Sequence, residues 1–337
     1  MGPANDDQRR RRTYRRTYAI SGQNDIVSTP AEHLNPAQQE VIKLLGKSAG
    51  GAPWDPAVAE DLRDELAEAT DELVGRVGKD TLWISKHGLS GLHGCETHYM
   101  SSEGSFAWTV QNVRGSIAHK AIELSIHWDG EAPPLTLVRE AIARTANSDK
   151  SAGRFLQGLT EAELAELRGE CTDLVSKFGE SFPQLKAAWW PVTESRSQYD
   201  LAEGRIVLSG KVDLTLGRTQ GIEPSKVIID LKSGRRHKNH VDDLRFYALL
   251  ETLKLGVPPR LVASYYLDEA RAQKEEVTEG VLRAALARTI DGIHKAVELR
   301  EGRPPNVQPG PPCRWCPVSP DCPSGLAYLS GQDDFDA

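Results

Sequence analysis

The sequence predicts an α/β fold in which a mixed central sheet is flanked by helices, with a helical region before it and a cysteine-rich segment after it. Three observations predict this arrangement. Apolar residues recur every three to four positions through much of the first half of the chain, and they follow strand patterns from about Ala187 onward. Three cysteines fall within ten residues near the C-terminus. A chain of 337 residues is long enough to bury a substantial core, either in one large domain with a helical appendage or in two ordinary domains.

Bulk charge limits how this chain could bind a nucleic acid. The net charge of −7 excludes a broadly polybasic binder and leaves only local patches for contact with phosphates. No run of about 18 apolar residues is present, and the first residues lack the apolar stretch of a secretory signal peptide, so we expect a cytoplasmic protein without a membrane segment. Residues 1–30 have no hydrophobic period and are predicted to form a disordered basic arm that carries Arg9, Arg10, Arg11, Arg12, Arg15 and Arg16.

Helical periodicity dominates the chain before residue 180. Residues 31–112 are predicted to be a helical region, in which Asp55 followed by a proline is a helix start signal. A further helix is predicted over 113–128, and it places His119 and Glu123 four residues apart on one side. Two more helices are predicted at about 134–146 and 160–178.

Strand and helix patterns alternate in the second half. The segments RIVLSGKVDLTLG, VIIDLKSG and RLVASYYLDE are predicted strands. The segment VDDLRFYALLETLKLG is an amphipathic helix ending at Gly256, and a long helix from about Thr278 to Arg300 follows. We therefore expect a core domain over 113–310, a cysteine-rich segment over 311–326 and an acidic tail over 327–337.

Two carboxylates and a lysine lie on neighbouring predicted strands. Asp230 and Lys232 project from one face of a strand directly after three buried apolar residues, and Asp213 lies on the preceding strand. Charge beside a core costs several kcal/mol unless it is paired or bound to metal. Carboxylate oxygens are the ligands that a hard cation prefers, with the Leu231 carbonyl as a further candidate ligand. A lysine beside such a cation could orient water and stabilise charge developing at phosphorus, although an acid-x-Lys pair by itself is a weak signal.

Four motifs in order make the pattern specific. They are the helix segment Gly115-Ser-Ile-Ala-His119, then Gly210-Lys-Val-Asp213, Asp230-Leu-Lys232 and the helix segment Asp243-Leu-Arg-Phe-Tyr247. Over roughly residues 80–326 the chain thus resembles the RecB-like PD-(D/E)XK nuclease family. The resemblance implies a restriction-endonuclease-like core with Mg²⁺ or Mn²⁺ held by His119, Asp213, Asp230 and the Leu231 carbonyl.

The resemblance also implies roles for the remaining motif residues. Lys232 would assist the attacking water, Tyr247 would support the site or the DNA backbone, and Glu123 would support the metal ligands. The family usually carries Gln four residues before the tyrosine, whereas this chain has Asp243 there, which bears on contacts with DNA ends. The implied activity is a DNA exonuclease in repair, recombination or defence against foreign DNA, with a helicase or a recombination or defence protein as partner.

The cysteines indicate a metal centre. Cys313, Cys316 and Cys322 lie in a proline-rich loop where tight turns can bring three thiolates together. Cys95, in a loop-like stretch, is a better fourth ligand than Cys171, which falls in a predicted helix. Thiolate spacing alone does not separate an iron–sulfur cluster from zinc, for which His93 or His98 could replace Cys95 as ligand.

One upstream cysteine followed by a C-terminal C-x2-C-x5-C group resembles the iron–sulfur subgroup of this nuclease family, which includes the AddB-type helicase-nucleases and the exonucleases of CRISPR adaptation. The resemblance implies a [4Fe–4S] cluster. Joining residue 95 to 313–322 would close a loop of more than two hundred residues, so we expect a structural clasp. Two alternatives stay open: an inactive nucleic-acid-binding or assembly protein with a structural metal, and a zinc-stabilised regulatory protein that uses the basic arm to grip DNA.

Overall fold

The computed structural model describes residues 34–46, 53–102, 107–128, 130, 132–148, 150–234, 236–237 and 239–333. The predicted basic arm and residues 334–337 of the predicted tail lie outside this range. The strands are β1 Leu82–Ile84, β2 Val192–Leu201, β3 Ile206–Leu216, β4 Val227–Lys232, β5 Leu261–Tyr266 and β6 Arg271–Glu276. The helices are α1 Pro36–Leu45, α2 Pro56–Asp71, α3 Lys86–Leu92, α4 Glu96–Ser102, α5 Val110–His127, α6 Pro134–Ser148, α7 Lys150–Gln157, α8 Glu161–Ser181, α9 Asn239–Leu255, α10 Glu279–Arg300 and α11 Pro323–Asp333.

The described strands form one mixed sheet between two helical layers. Alternation along β4 shows why both faces are covered, since Ile228 packs into one hydrophobic cluster while Val227 and Ile229 pack into the other. The first cluster draws on α2, α3, α9 and α10, and the second draws on α1, α5, α6 and α8. The predicted α/β class with a mixed sheet flanked by helices is confirmed.

Capping side chains set the helix starts. The Asp55 side chain accepts a hydrogen bond from the Ala57 amide ahead of α2, as predicted. Thr109, Thr160 and Thr278 cap α5, α8 and α10 in the same way. No helix among the described residues is long and apolar enough to cross a membrane.

Several short elements differ from the predictions. β1 falls inside the segment predicted to be helical, α3 and α4 occupy most of the stretch predicted to be a loop around Cys95, and α7 and β6 were not predicted. α11 covers the start of the predicted acidic tail. A strand of three residues or a helix of seven spans too few positions for its period to show, and tertiary contacts decide such elements instead.

A gap in strand pairing lies at the centre of the sheet. β2 pairs along one edge of β3, from Ile206 to Thr215. The other edge pairs with β1 only at 206–208 and with β4 only at 214–216. Since β1 runs parallel to β3 and β4 runs antiparallel to it, the C-terminal ends of both strands point towards the stretch between these pairings. The topology therefore brings the residues that follow β1 close to those that end β4.

Candidate active site

A cleft of about 750 Å³ opens at this gap. α5 contributes His119, β3 contributes Asp213, β4 contributes Asp230 and Lys232, and α9 contributes Tyr247. Five of the residues predicted from the sequence thus line a single cleft, although they come from four elements spread over 129 positions of the chain, from 119 to 247.

Asp230 is a buried carboxylate held by two ammonium groups. Its side chain is 1 % exposed, with Oδ1 2.8 Å from Lys86 Nζ and Oδ2 2.7 Å from Lys232 Nζ. Burial alone would raise the pKa of Asp230, but the positive charges of Lys86 and Lys232 outweigh it and hold that pKa below its usual range. The carboxylate therefore stays ionised.

Lys86 was not identified from the sequence. It begins α3 directly after β1, and its ammonium also lies over the Tyr247 ring, 4.9 Å from the ring centre. Burial would lower the pKa of Lys86, but the Asp230 carboxylate outweighs that effect and raises it. No motif marks this lysine, because its approach to Asp230 depends on how β1 and β4 meet across β3.

Asp213 joins β3 to β4 and to α5. Its Oδ2 accepts a hydrogen bond of 2.8 Å from the Leu231 amide, and its Oδ1 lies 3.5 Å from His119 Nδ1. Burial would lower the pKa of His119, but the Asp213 carboxylate outweighs it and the pKa is raised. The other ring nitrogen of His119, Nε2, is buried and has no hydrogen-bond partner in the structure.

Asp243 stands where the family usually has Gln, and the structure gives it a partner. Its Oδ2 lies 3.0 Å from Lys232 Nζ, so this acid gives the lysine a second carboxylate partner besides Asp230. Glu123 instead pairs with Lys120 of the same helix, at 2.8 Å. The structure thus pairs Asp243 with the cleft lysine and Glu123 with a lysine of its own helix, and a supporting role for either acid stays a prediction.

Both motif glycines lie where a neighbouring side chain approaches the backbone. A Cβ at Gly210 would stand 2.8 Å from Cε1 of Tyr247, whose hydroxyl donates a hydrogen bond of 2.6 Å to the Lys211 carbonyl. A Cβ at Gly115 would stand 2.5 Å from Ser233 Oγ, just beyond β4. The glycines thus let α9 and α5 pack closely against the strands that carry the acids.

The donor set fits a hard divalent cation. No three His, Cys, Asp or Glu side chains among the described residues are arranged as a ready-made metal site. However, Asp213 and Asp230 supply carboxylate oxygens, and the buried His119 Nε2 is a polar atom that lacks a partner. Carboxylate oxygens of this kind suit Mg²⁺ or Mn²⁺, and the His119 imidazole offers a nitrogen donor beside them.

The four cysteines predicted to act together line one small cavity, apart from the cleft. Cys95 lies between α3 and α4 and meets Cys313, Cys316 and Cys322 there. Gly325 lies between two of the thiols, since a Cβ at this position would stand 3.5 Å from Cys322 Sγ and 3.6 Å from Cys313 Sγ. All five cysteines of the chain are free thiols.

The other three candidate metal ligands have different surroundings. Cys171 is buried in α8, and burial raises the pKa of its thiol to about 12, so it stays protonated. His93 Nε2 lies 2.9 Å from the Arg288 carbonyl and its Nδ1 lies 3.4 Å from Asp291, so this ring is engaged with α10. His98 lines the cysteine cavity, with Nδ1 3.2 Å from Ser102 Oγ.

Of the comparisons with known proteins, the one with protein families agrees with the motifs. A family model described as the PD-(D/E)XK nuclease superfamily matches residues 84–323. The solved structure of SSO0001 aligns with a TM-score of 0.29 and 15 % sequence identity, covering 64 % of this chain and 98 % of that chain. A search of curated proteins finds no match to the chain.

Proposed function

Since the chain belongs to the PD-(D/E)XK nuclease superfamily, we propose that it is a metal-dependent deoxyribonuclease whose active site is the cleft between β3 and β4. The observation that carries this proposal is the meeting of Asp213, Asp230, Lys232 and His119 in one cleft. An ionised carboxylate buried against two lysines is costly to build for stability alone. A role for this carboxylate in hydrolysing a phosphodiester would explain why such a costly arrangement is present.

The proposed reaction hydrolyses one ester bond. Water oxygen bonds to phosphorus, one P–O ester bond breaks, and the departing oxygen takes up a proton. A divalent cation held by His119, Asp213 and Asp230 would polarise a phosphoryl oxygen and lower the pKa of the water. Lys232 adds a positive charge fixed in advance, because Asp230 and Asp243 hold its ammonium at 2.7 and 3.0 Å. A fixed charge of this kind stabilises negative charge developing on the phosphoryl oxygens.

Tyr247 contacts both β3 and Lys86 beside the site. Its hydroxyl donates a hydrogen bond to the Lys211 carbonyl, and the Lys86 ammonium lies over its ring. Burial raises the pKa of Tyr247, so the phenol stays protonated and keeps donating this hydrogen bond. We assign it to holding β3 and Lys86 in place, and proton transfer is not part of its role.

The test is cleavage of end-labelled linear DNA, single- and double-stranded, with Mn²⁺ or with chelator. The wild type should cut only with the cation, and Asp230→Ala should not cut. Asp64→Ala, which removes an exposed acid of α2, is the matched control and should cut normally. A wild type that binds DNA with Mn²⁺ present and leaves every substrate intact would favour the alternative of an inactive binding protein.

We further propose an exonuclease that acts in DNA repair, recombination or defence, in the cytoplasm, beside a helicase or another recombination or defence protein. The support is the RecB-like order of the four motifs together with the cysteine group. Products released from uniquely labelled ends would separate exonuclease from endonuclease action.

We propose a [4Fe–4S] cluster on Cys95, Cys313, Cys316 and Cys322, with a structural role. The support is that these four thiols line one cavity although over two hundred residues separate the first from the rest. The spacing of the thiols along the chain does not separate such a cluster from a zinc ion, so iron and zinc assays decide between them.

A further inference from the structure

An exposed tryptophan lies on the sheet beside the cleft. Trp83 is 54 % exposed, whereas Leu82 and Ile84 on either side of it in β1 are in the core. Its indole lines the same cleft as Asp213 and Asp230. An indole left in water at the wall of a polar cleft forgoes the stabilisation of burial, and it offers a flat apolar surface to a ligand.

The strand register connects Trp83 to the catalytic carboxylates. Trp83 lies opposite Val207 of β3, and alternation places Val207, Ser209, Lys211 and Asp213 on one face of that strand. On β2, Gln198 lies opposite Ser209 and Arg196 opposite Lys211, so both share this face. All of these residues except Val207 line the cleft. We call Arg196, Gln198, Ser209 and Lys211 the polar stripe.

We propose that Trp83 is a nucleobase-stacking subsite for a single DNA strand, and that the polar stripe carries this strand between Trp83 and the active site. This inference rests on the proposed deoxyribonuclease function. Arg196 and Lys211 supply positive charge towards phosphates, and Gln198 and Ser209 supply hydrogen-bonding groups. Grooves that bind single strands combine these features, a basic track for the backbone and aromatic side chains under the bases.

A single strand fits this surface better than a duplex does. A base can stack on an indole only when it is not already stacked between neighbours of a paired duplex. The net charge of −7 gives little general attraction for duplex phosphates. Lys211 is itself paired with Glu194, which further limits the charge of the stripe, so stacking must supply much of the affinity.

The length of the stripe sets the length of strand needed to reach Trp83. Val207 and Asp213 are six residues apart in β3, which at about 3.3 Å per residue is about 20 Å. Stacked nucleotides advance about 3.4 Å each, so about six of them span this distance, and fewer do so when the strand is extended. An oligonucleotide of three stacked residues covers about 10 Å and, when bound at the carboxylates, should not reach the indole.

The experiment measures DNA binding without cleavage. Fluorescein-labelled dT oligonucleotides of three and twelve residues and a hairpin duplex are titrated with the full chain in chelator, with anisotropy as the readout. Trp83→Ala should weaken binding of the twelve-residue strand by roughly 5- to 100-fold, the range for losing one stacked base. The three-residue strand and the duplex should change little. Trp83→Phe should retain part of the affinity, since a smaller ring still stacks.

The controls separate this inference from the proposed function. Trp315→Phe removes an indole that is 62 % exposed but outside the cleft lining, and it should bind the long strand as the wild type does. If Trp83→Ala binds that strand as tightly as the wild type, and DNA is still cut in an Asp230-dependent manner, the stacking subsite alone is wrong. If the wild type neither binds nor cuts any DNA, the proposed function fails with it.

Discussion

Lys86 Nζ lies 2.8 Å from Asp230 Oδ1 and thus joins the end of β1 to the end of β4 across the unpaired stretch of β3. Lys232 holds the other oxygen of the same carboxylate. One buried acid therefore has two lysine partners, of which only Lys232 belongs to a recognisable motif. The second lysine neutralises Asp230 and also fixes where α3 begins relative to the site.

Replacing Lys86 by Ala should destabilise the protein in chelator by about 2–4 kcal/mol, because it leaves a buried carboxylate with one partner. The same change should tighten Mn²⁺ binding, since one competing positive charge is gone from Asp230. Urea unfolding and a Mn²⁺ titration measure the two effects. Lys79→Ala, an exposed lysine just before β1, is the control and should change neither. An unaltered unfolding midpoint for Lys86→Ala would contradict the pairing.

Replacing Lys232 by Ala should lower kcat by at least about 100-fold, the magnitude typical for losing one preorganised stabilising group. DNA affinity should stay near that of the wild type, because the proposed role arises only as charge develops at phosphorus. Single-turnover cleavage and DNA binding, measured separately, check this. A raised KM with unchanged kcat would instead assign Lys232 to substrate binding.

Replacing Gly210 by Ala should destabilise the fold by about 1–3 kcal/mol, because the new methyl group would push against the Tyr247 ring. In a Tyr247→Ala background the same substitution should cost less, since the nearest obstacle is gone and only Leu250 Cδ2, at 3.2 Å, still crowds the new methyl group. Thermal unfolding of the four proteins in this cycle gives the coupling. Gly179→Ala in α8, where a Cβ meets nothing within 4 Å, should not destabilise the protein. Equal costs in both backgrounds would show that the ring does not exert this constraint.

Replacing Cys322 by Ser should remove iron and visible colour from anaerobically purified protein and lower its thermal stability, because a structural cluster contributes folding free energy. Cys171→Ala should keep both iron and colour, since that thiol is buried in α8 away from the cavity. An iron assay, a zinc assay and the visible spectrum decide between metals. A colourless wild type containing zinc would favour a site completed by His98, which also lines the cavity.

Local pattern was sufficient for the long elements and for the motif residues. Helices α5, α8, α9 and α10 and strands β3, β4 and β5 lie where periodicity predicted them. Each spans several repeats of its own period, and Thr109, Thr160 and Thr278 cap the starts of α5, α8 and α10. His119, Asp213, Asp230, Lys232 and Tyr247 line one cleft because each stands at a definite place on one of these elements.

Only the tertiary structure determined the contacts between distant segments. β1 is three residues long, so no local signal placed it in the sheet or brought Lys86 to Asp230. The exposure of Trp83 on the cleft wall follows from the same strand pairing. The pairing of Asp243 with Lys232, at 3.0 Å, likewise became evident only in the tertiary structure. Motif spacing along a chain shows which side chains share an element. Packing across the sheet determines which elements meet, and it is this packing that brings Lys86 and Trp83 to the cleft.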